Sequence, residues 1–368
     1  MRAAVIHNAL NGTRPDQEDT LVQARAVLEA LVSLGIGSSI LSMSLDLEAA
    51  RTELAALSPD IIFNLVEELA DDIRLAPLAP SLFAHMRLPF TGSDAQALTL
   101  SGDKVLCKRI LDAAGIPSPA WVLPDGTCGG MGTGGKCSAK ADEKIDHKAG
   151  SHSFAAGRYL CKSVHEHASL GLDEDCLVDA TTVKDVTDRL AACIARHGGH
   201  WFAERYVDGR EFNIAIIAGV NGDEPQVLPF AEIEFRDFGA DRPKIVGYAA
   251  KWDEDCFEYV NTVRRFTFPE SDAPLLAMLE SATKACWHAF GLAGYARIDY
   301  RVDGDGSAEH PFVAYVIDVN SNPCIAPDAG LAAAAHRAGL DYAALIKRIV
   351  DAGLNQTTAQ NIVYAAGK

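Results

Sequence analysis

The first 65 residues alternate short apolar runs with segments of helical periodicity, and this order restricts the fold more than any other feature. Apolar runs predict strands at residues 3–7, 38–43 and 60–65. Between the first two, apolar side chains recur at helical spacing, at Leu21, Ala24, Leu28 and Leu31, before Gly35; a second helix is predicted at 47–57. Strands that alternate with helices predict an α/β unit with a doubly wound parallel sheet. Such sheets bind ligands beyond the carboxyl ends of their strands, where Glu67 follows the third run.

Composition excludes several kinds of partner. The 368 residues suit two or three domains of roughly 100–200 residues each. A formal net charge of −17 repels nucleic acid and anionic lipid, so neither a nucleic-acid nor a membrane partner is predicted. No run approaches the roughly 18 apolar residues of a membrane span. The nine cysteines include no C-x-x-C pair, which is typical of reduced thiols, so we expect a cytoplasmic protein.

A glycine-rich segment interrupts the chain at about residues 125–157. Six of the ten residues from 126 to 135 are glycine, and large apolar side chains are almost absent after them. Gly130, Gly135 and Lys136 fit the spacing of a phosphate-binding loop, but Cys137 replaces its hydroxyl residue and no convincing helix follows. We therefore interpret the segment as a flexible excursion and not as a nucleotide site.

In the remainder of the chain, the predicted strands and helices no longer alternate regularly. Strands are predicted at residues 158–164, 200–206, 211–218, 226–234, 293–302 and 312–319. Helices are predicted at residues 183–195, 273–290, 329–338 and 342–352. Helices placed on antiparallel strands indicate an α+β unit distinct from the first one.

Two polar pairs lie at the ends of the last two predicted strands. Alternation sends Arg297 and Asp299 to one face of one strand, and Asp318 and Asn320 to one face of the next. Carboxylate and amide oxygens suit Mg²⁺ that also holds substrate phosphates, and an arginine beside them suits a phosphate or an oxyanion. A structural salt bridge between sheet residues is the alternative interpretation.

With these residues in view, the sequence resembles an ATP-grasp ligase of the D-alanine–D-alanine ligase type over nearly its whole length. The motifs that carry the resemblance are residues 88–93, Asp103-Lys104, Lys108 with 114–119, Lys162 with 168–171, 204–207 with 209–211, Ala250-Lys251, and Arg297 and Asp299 with 318–320. The resemblance implies an ATP-grasp fold preceded by an α/β domain with a doubly wound parallel sheet. It implies an N-terminal domain at 1–101, a central subdomain at 102–207 that carries the excursion, and a catalytic subdomain at 208–368.

The resemblance also assigns roles to individual residues. ATP would be bound by Lys104, Lys162, Glu204, Arg205, Val207, Glu211, Lys251 and Asn320. Two Mg²⁺ ions, which Mn²⁺ could replace, would be held by Asp299, Asp318 and Asn320. Arg297 would steady an acyl phosphate and then an oxyanion, assisted by Lys251. Ser169 belongs to a loop that would cover the phosphates.

The sequence departs from this family pattern in the residues expected to bind the substrates. Glu67 occupies the region of the family's histidine, and only Asp16 or Glu18 approximates its amino-binding glutamate. Cys324 replaces a glycine at the oxyanion, and Ala329 replaces the serine that holds the second substrate's carboxylate. The ATP half of the site therefore matches the family, and the amino-acid half does not.

The sequence predicts an ATP-dependent ligase that joins a small-molecule carboxylate to an amine through an acyl phosphate. Three alternatives stay open: a strict D-alanine–D-alanine ligase, a small-molecule kinase on the same fold, and a nucleotide-binding module without turnover. The oligomeric state also stays open, with a homodimer as one option.

The two possible phosphate sites lead to a direct comparison of two lysines. Lys162→Ala should weaken ATP binding about ten- to a hundred-fold, because a charge-assisted contact to phosphate contributes roughly 1.5–3 kcal/mol. Lys136→Ala should cause a smaller loss than Lys162→Ala, and deletion of residues 129–135 should leave ATP affinity within about two-fold, as expected for an exposed excursion. Paired calorimetric titrations measure both constants, and a larger loss in Lys136→Ala would move the nucleotide site to the glycine-rich segment.

Overall fold

The computed structural model describes residues 1–10, 15–130, 154–166, 172–239 and 242–366. Most of the predicted glycine-rich excursion lies outside these residues, together with Ser169 and the side chain of Asp16. Its described N-terminal end includes a short strand at Cys128–Gly129. No described helix is long and apolar enough to cross a membrane.

The N-terminal part is the expected α/β unit. Its three parallel strands are β1 (Arg2–Asn8), β2 (Gly37–Met43) and β3 (Ile61–Leu65), in the order β2-β1-β3. The helices around this sheet are α1 (Pro15–Ser33), α2 (Leu47–Leu57) and α3 (Leu78–His85). The Asp46 side chain begins α2 by accepting the Ala49 N–H at 3.0 Å, which satisfies one of the unpaired donors of a helix start. The predicted parallel sheet is confirmed.

Two further helices, α4 (Ala95–Gly102) and α5 (Lys104–Ala114), lead into the next sheet. The Asp103 carboxylate begins α5 by accepting the N–H groups of Val105 and Leu106, both at 2.9 Å. The buried face of α5 carries residues at helical spacing: Lys104, Cys107, Lys108 and Leu111. This helix therefore directs two lysines into the protein interior.

A five-stranded antiparallel sheet forms the centre of the chain. Its strands are β4 (Trp121–Val122), β5 (Cys128–Gly129), β6 (Gly157–Ser163), β7 (Leu177–Ala180) and β8 (Trp201–Arg205), in the order β5-β4-β8-β6-β7. Helix α6 (Val183–His197) packs on it through buried Val186, Leu190 and Cys193. A reciprocal pair of hydrogen bonds between Thr182 and Asp185 begins this helix.

A six-stranded antiparallel sheet follows. Its strands are β9 (Arg210–Ile217), β10 (Gln226–Val227), β11 (Ala231–Phe235), β12 (Thr262–Arg265), β13 (Tyr295–Asp303) and β14 (Val313–Ser321). The main path is β12-β11-β9-β13-β14, and β10 pairs with β9. The remaining helices are α7 (Tyr248–Trp252), α8 (Phe257–Asn261), α9 (Ala273–Phe290), α10 (Gly330–Arg337) and α11 (Tyr342–Ala366).

Two sequence predictions need correction. The single strand predicted at 226–234 is two strands, because Pro229 lies between β10 and β11 and cannot donate a ladder hydrogen bond. The last helix was predicted to end at 352, before Gly353, but α11 continues to Ala366. A Cβ at Gly353 would lie 2.6 Å from the Phe90 carbonyl oxygen, so this glycine permits close packing inside the helix.

A glycine contact generates a stability prediction. A Cβ at Gly209 would lie 1.9 Å from the Val302 carbonyl oxygen, which belongs to the backbone of β13 and cannot move aside cheaply. Gly209→Ala should therefore reduce the free energy of unfolding by about 1–3 kcal/mol. Gly102→Ala is the matched control, because no atom lies within 4 Å of its Cβ and it ends a helix. Urea denaturation compares them, and equal stabilities would contradict the prediction.

Candidate active site

A cavity between the five-stranded and six-stranded sheets collects most of the predicted site residues. Those that line it are Lys104, Lys162, Glu204, Arg205, Val207, Glu211, Lys251, Arg297, Asp299 and Asp318. They come from α5, from strands of both sheets and from α7. Polar and charged residues up to 214 positions apart in the sequence converge on this cavity, which makes it the candidate active site.

A buried carboxylate joins two lysines at one wall of this cavity. The Glu204 carboxylate lies 2.6 Å from the Lys108 Nζ and 2.5 Å from the Lys162 Nζ. Burial opposes ionisation of Glu204, but the two lysines outweigh it and hold its pKa below the ordinary value. Glu204 in turn raises the pKa of Lys162 against the opposing effect of burial. Lys162 therefore stays charged at neutral pH.

Lys108 was not assigned a role from the sequence. It lies one helical turn after Lys104 on the buried face of α5, and its Nζ also donates to the Val316 carbonyl at 3.3 Å. The sequence signals for Lys108 are this four-residue spacing on the buried face of α5 and its place in one of the motifs that carry the family resemblance. Only the three-dimensional structure reveals its carboxylate partner.

Two more lysines face the cavity. Lys104 is buried and its Nζ donates to the Glu166 carbonyl. Burial lowers the pKa of Lys104, and it lowers the pKa of Lys251 to about 8, with a further lowering from Arg297. Because burial lowers the pKa of both lysines, an anionic ligand beside them would favour their charged forms.

The predicted polar pairs of the last two strands lie side by side. Asp299 pairs directly with Asp318 across β13 and β14, and the register then shifts so that Tyr300 faces Val316. This bulge at Ile317 changes the alternation of β14, which keeps Val316 and Val319 in the core while Asp318 lines the cavity. The alternation predicted for each pair is confirmed on this face of the sheet.

The salt bridge considered as an alternative does form. Arg297 contacts Asp299 through two bonds, of 2.8 and 3.0 Å, and Asn320 donates to the same carboxylate at 3.1 Å. Burial opposes the charge of Arg297, but Asp299 outweighs it and raises the arginine pKa. The bridge also places a guanidinium beside the carboxylates that could hold a metal, so a structural role and a catalytic one are compatible here.

These residues fit a metal that is completed by its substrate. Two carboxylates and one amide from adjacent strands converge, and Mg²⁺ accepts such oxygen ligands together with phosphate oxygens and water. Across the described ranges, no group of three or more histidine, cysteine or acidic side chains is arranged to hold a metal ion.

Glu18, Glu67 and Cys324, the predicted substrate residues whose side chains the structure describes, do not line this cavity. The Cys324 thiol donates to the Asp19 carboxylate at 3.2 Å, and Gln23 donates to Asp19 at 3.0 Å and to Glu67 at 3.3 Å. Burial raises the pKa of both Asp19 and Cys324. Glu18 is exposed, whereas Asp19, for which no sequence pattern predicts a role, contacts Cys324 from α1.

The fold and this cavity define an ATP-grasp protein, and comparison with known proteins identifies the family. Residues 158–351 match the family described as D-ala D-ala ligase C-terminus, and the chain belongs to this family. The chain is 26% identical over 357 residues to the D-alanine–D-alanine ligase of Moorella thermoacetica, covering 96% of this chain and 99% of that protein. It is 26% identical over 349 residues to the Methylococcus capsulatus ligase, covering 93% of each.

Solved structures give the same fold. The D-alanine–D-alanine ligase of Bacillus anthracis complexed with ATP superposes with a TM-score of 0.66 at 18% identity, covering 98% of this chain and 99% of that one. The corresponding ligase of Coxiella burnetii has a TM-score of 0.65 at 13% identity, covering 100% and 97%. The expected ATP-grasp fold and the family resemblance are confirmed.

The pKa of Lys251 generates a prediction for the pH dependence of ATP binding. Lys251 is protonated below pH about 8, where it attracts phosphate, and it loses this charge as the pH rises further. ATP affinity should therefore fall between pH 8 and 9.5, by up to about ten-fold per pH unit. Lys251→Arg should show a smaller slope, because arginine keeps its charge. Calorimetry across this range measures both, and identical slopes would exclude Lys251 as the titrating group.

Proposed function

We propose that the protein is an ATP-dependent carboxylate–amine ligase that forms an amide and releases ADP and phosphate. The observation that carries this proposal is the cavity in which Lys104, Lys162 and Lys251 face the Arg297–Asp299–Asp318 group. The cations suit a triphosphate, and the arginine beside two carboxylates suits phosphoryl transfer. Binding alone would not require this second group, which disfavours a module without turnover.

The residues act in two stages. In the first, the lysines neutralise the phosphates of ATP while a carboxylate oxygen of one substrate attacks the γ-phosphorus and ADP leaves. Asp299, Asp318 and Asn320 would hold Mg²⁺, which stabilises the negative charge of the transferring group. In the second stage an amine attacks the acyl carbon, loses a proton and expels phosphate. Arg297 stabilises the acyl phosphate and then the oxyanion of this step.

The substrates themselves are the finer part of the proposal. Relatives named D-alanine–D-alanine ligase make that reaction the second candidate. Ala329, at the position where the family resemblance implies a serine clamp for the second carboxylate, disfavours a strict D-alanine–D-alanine ligase. We infer that Asp19, Glu67 and Cys324 contribute to substrate selection, because hydrogen bonds from the Cys324 thiol and from Gln23 link their side chains beside the loop after β14. A cytoplasmic location and a homodimer stay predictions.

A product assay separates the candidates. Purified protein with ATP and Mg²⁺ is screened for ADP release against amino acids singly and in pairs, and products are identified by mass spectrometry. An amide product supports the ligase, and a stable phosphorylated product with one substrate would indicate the kinase. D-alanyl-D-alanine as the sole product would establish the strict ligase, and absence of ATP binding with Mg²⁺ would overturn the proposal.

Removal of one carboxylate tests the metal site. Asp318→Asn should lower the turnover rate by about a hundred-fold or more, because metal stabilisation of the transition state contributes several kcal/mol. Thermal unfolding should stay close to that of the parent protein, since Asp318 lines a cavity and not the apolar core. Asp188→Asn, an equal charge change on the exposed side of α6, should leave turnover unchanged. Parental turnover in Asp318→Asn would place the metal elsewhere.

A further inference from the structure

A buried arginine lies in the candidate active-site cavity beside Glu211, the residue that the family resemblance assigns to the ribose hydroxyls of ATP. Arg301 follows Asp299 by two positions on β13, so alternation directs it to the same cavity. Its side chain is 7% exposed, and its Nη2 lies 2.9 Å from the Glu211 Oε2. Strands β13 and β9 pair Arg301 with Glu211 directly, which fixes this contact through the backbone register.

Arg301 also contacts two backbone carbonyls. Its Nη1 donates to the Gly209 carbonyl at 3.1 Å, and its Nη2 donates to the Lys244 carbonyl. The residues after Lys244, Ile245 and Val246, line the cavity. The Arg301 guanidinium therefore links three parts of the site: the turn before β9, the Glu211 carboxylate and the cavity wall that follows Lys244.

Aromatic rings enclose the same guanidinium. The rings of Tyr206 and Phe235 have centroids 5.8 and 5.2 Å from the Arg301 Cζ. Tyr206 accepts the Lys244 N–H at 3.1 Å, so it also braces the 244–246 wall. An arginine placed between aromatic rings and three acceptors has little rotational freedom, which suits a residue that holds others in position.

We propose that Arg301 is a positioning residue for the nucleotide: it orients the Glu211 carboxylate toward the ribose hydroxyls and fixes residues 244–246 as a wall of the cavity. This inference rests on the proposed use of ATP. In the proposed arrangement, the Arg301 guanidinium forms an ion pair with Oε2 of Glu211, and Oε1 accepts a hydrogen bond from a ribose hydroxyl. A carboxylate without this partner would be buried with less compensation and would turn toward other cations of the cavity.

The test compares nucleotides that differ only in the ribose. Calorimetry with Mg²⁺ measures dissociation constants for ATP, 3′-deoxy-ATP and inorganic tripolyphosphate. The parent protein should bind ATP about ten-fold more tightly than 3′-deoxy-ATP, as expected for one charge-assisted hydrogen bond. Arg301→Met should bring this ratio close to one while tripolyphosphate binding changes less than about two-fold.

Conservative and control variants make the result specific. Arg301→Lys keeps the positive charge but loses the forked donors of the guanidinium. Its preference for ATP over 3′-deoxy-ATP should therefore lie between those of the parent protein and Arg301→Met. Arg236→Met removes an exposed arginine from the end of β11 and should leave the parental ratio. If Arg301→Met does not fold, Arg301→Lys decides: a ratio reduced at least two-fold supports the inference, and a parental ratio overturns it.

The outcomes also separate this inference from the proposed function. A parent protein that binds neither ATP nor tripolyphosphate contradicts the ligase itself. A parent protein that binds ATP but does not distinguish 3′-deoxy-ATP contradicts the role of Glu211 and Arg301 alone. A parental ratio in a folded Arg301→Met likewise overturns the inference while the ligase proposal stands.

Discussion

The site depends on one buried ion group, the Glu204 carboxylate between Lys108 and Lys162. These three side chains connect helix α5 to strands β8 and β6; Lys108 and Glu204 are almost fully enclosed, and Lys162 is 15% exposed. Loss of the Glu204 carboxylate would remove the buried partner of both lysines, which costs roughly 3–5 kcal/mol. The arrangement therefore constrains the separation of α5 from the sheet, and with it the position of Lys104 relative to Lys162 across the phosphate end of the cavity.

The cations around the cavity explain how a strongly acidic chain could bind a polyanion. The net charge of −17 belongs to the whole molecule, whereas the cavity concentrates lysines and arginines that strands and α5 bring inward. Burial lowers the pKa of Lys104 and Lys251, but Glu204 raises that of Lys162. One lysine is thus held charged in advance, and the others gain most from the arrival of phosphate.

Local periodicity was sufficient to predict the parallel N-terminal sheet, most later strands and the shared face of Arg297 and Asp299. It failed where a contact joins distant segments: no sequence pattern links Arg301 to the Lys244 carbonyl or Asp19 to Cys324. The bulge at Ile317 is a similar case, since it depends on the partner strand. The break at Pro229 could have been predicted, because proline seldom occupies the interior of a paired strand.

The two ends of the candidate site differ in the same way: one depends on strand pairing and the other on side-chain contacts between distant segments. The nucleotide end is built on paired strands, where register alone fixes Glu211 opposite Arg301 and Asp299 opposite Asp318. The substrate end instead joins α1 of the first sheet to the loop after β14, through the Gln23 side chain and the Ile325 N–H at 3.0 Å. Side-chain contacts between separate elements change more readily than ladder registers, because one substitution alters them without disturbing a sheet. In the proposed ligase, the register of the sheets would therefore preserve the ATP chemistry, while Asp19, Glu67 and Cys324 would determine which acid and amine are joined.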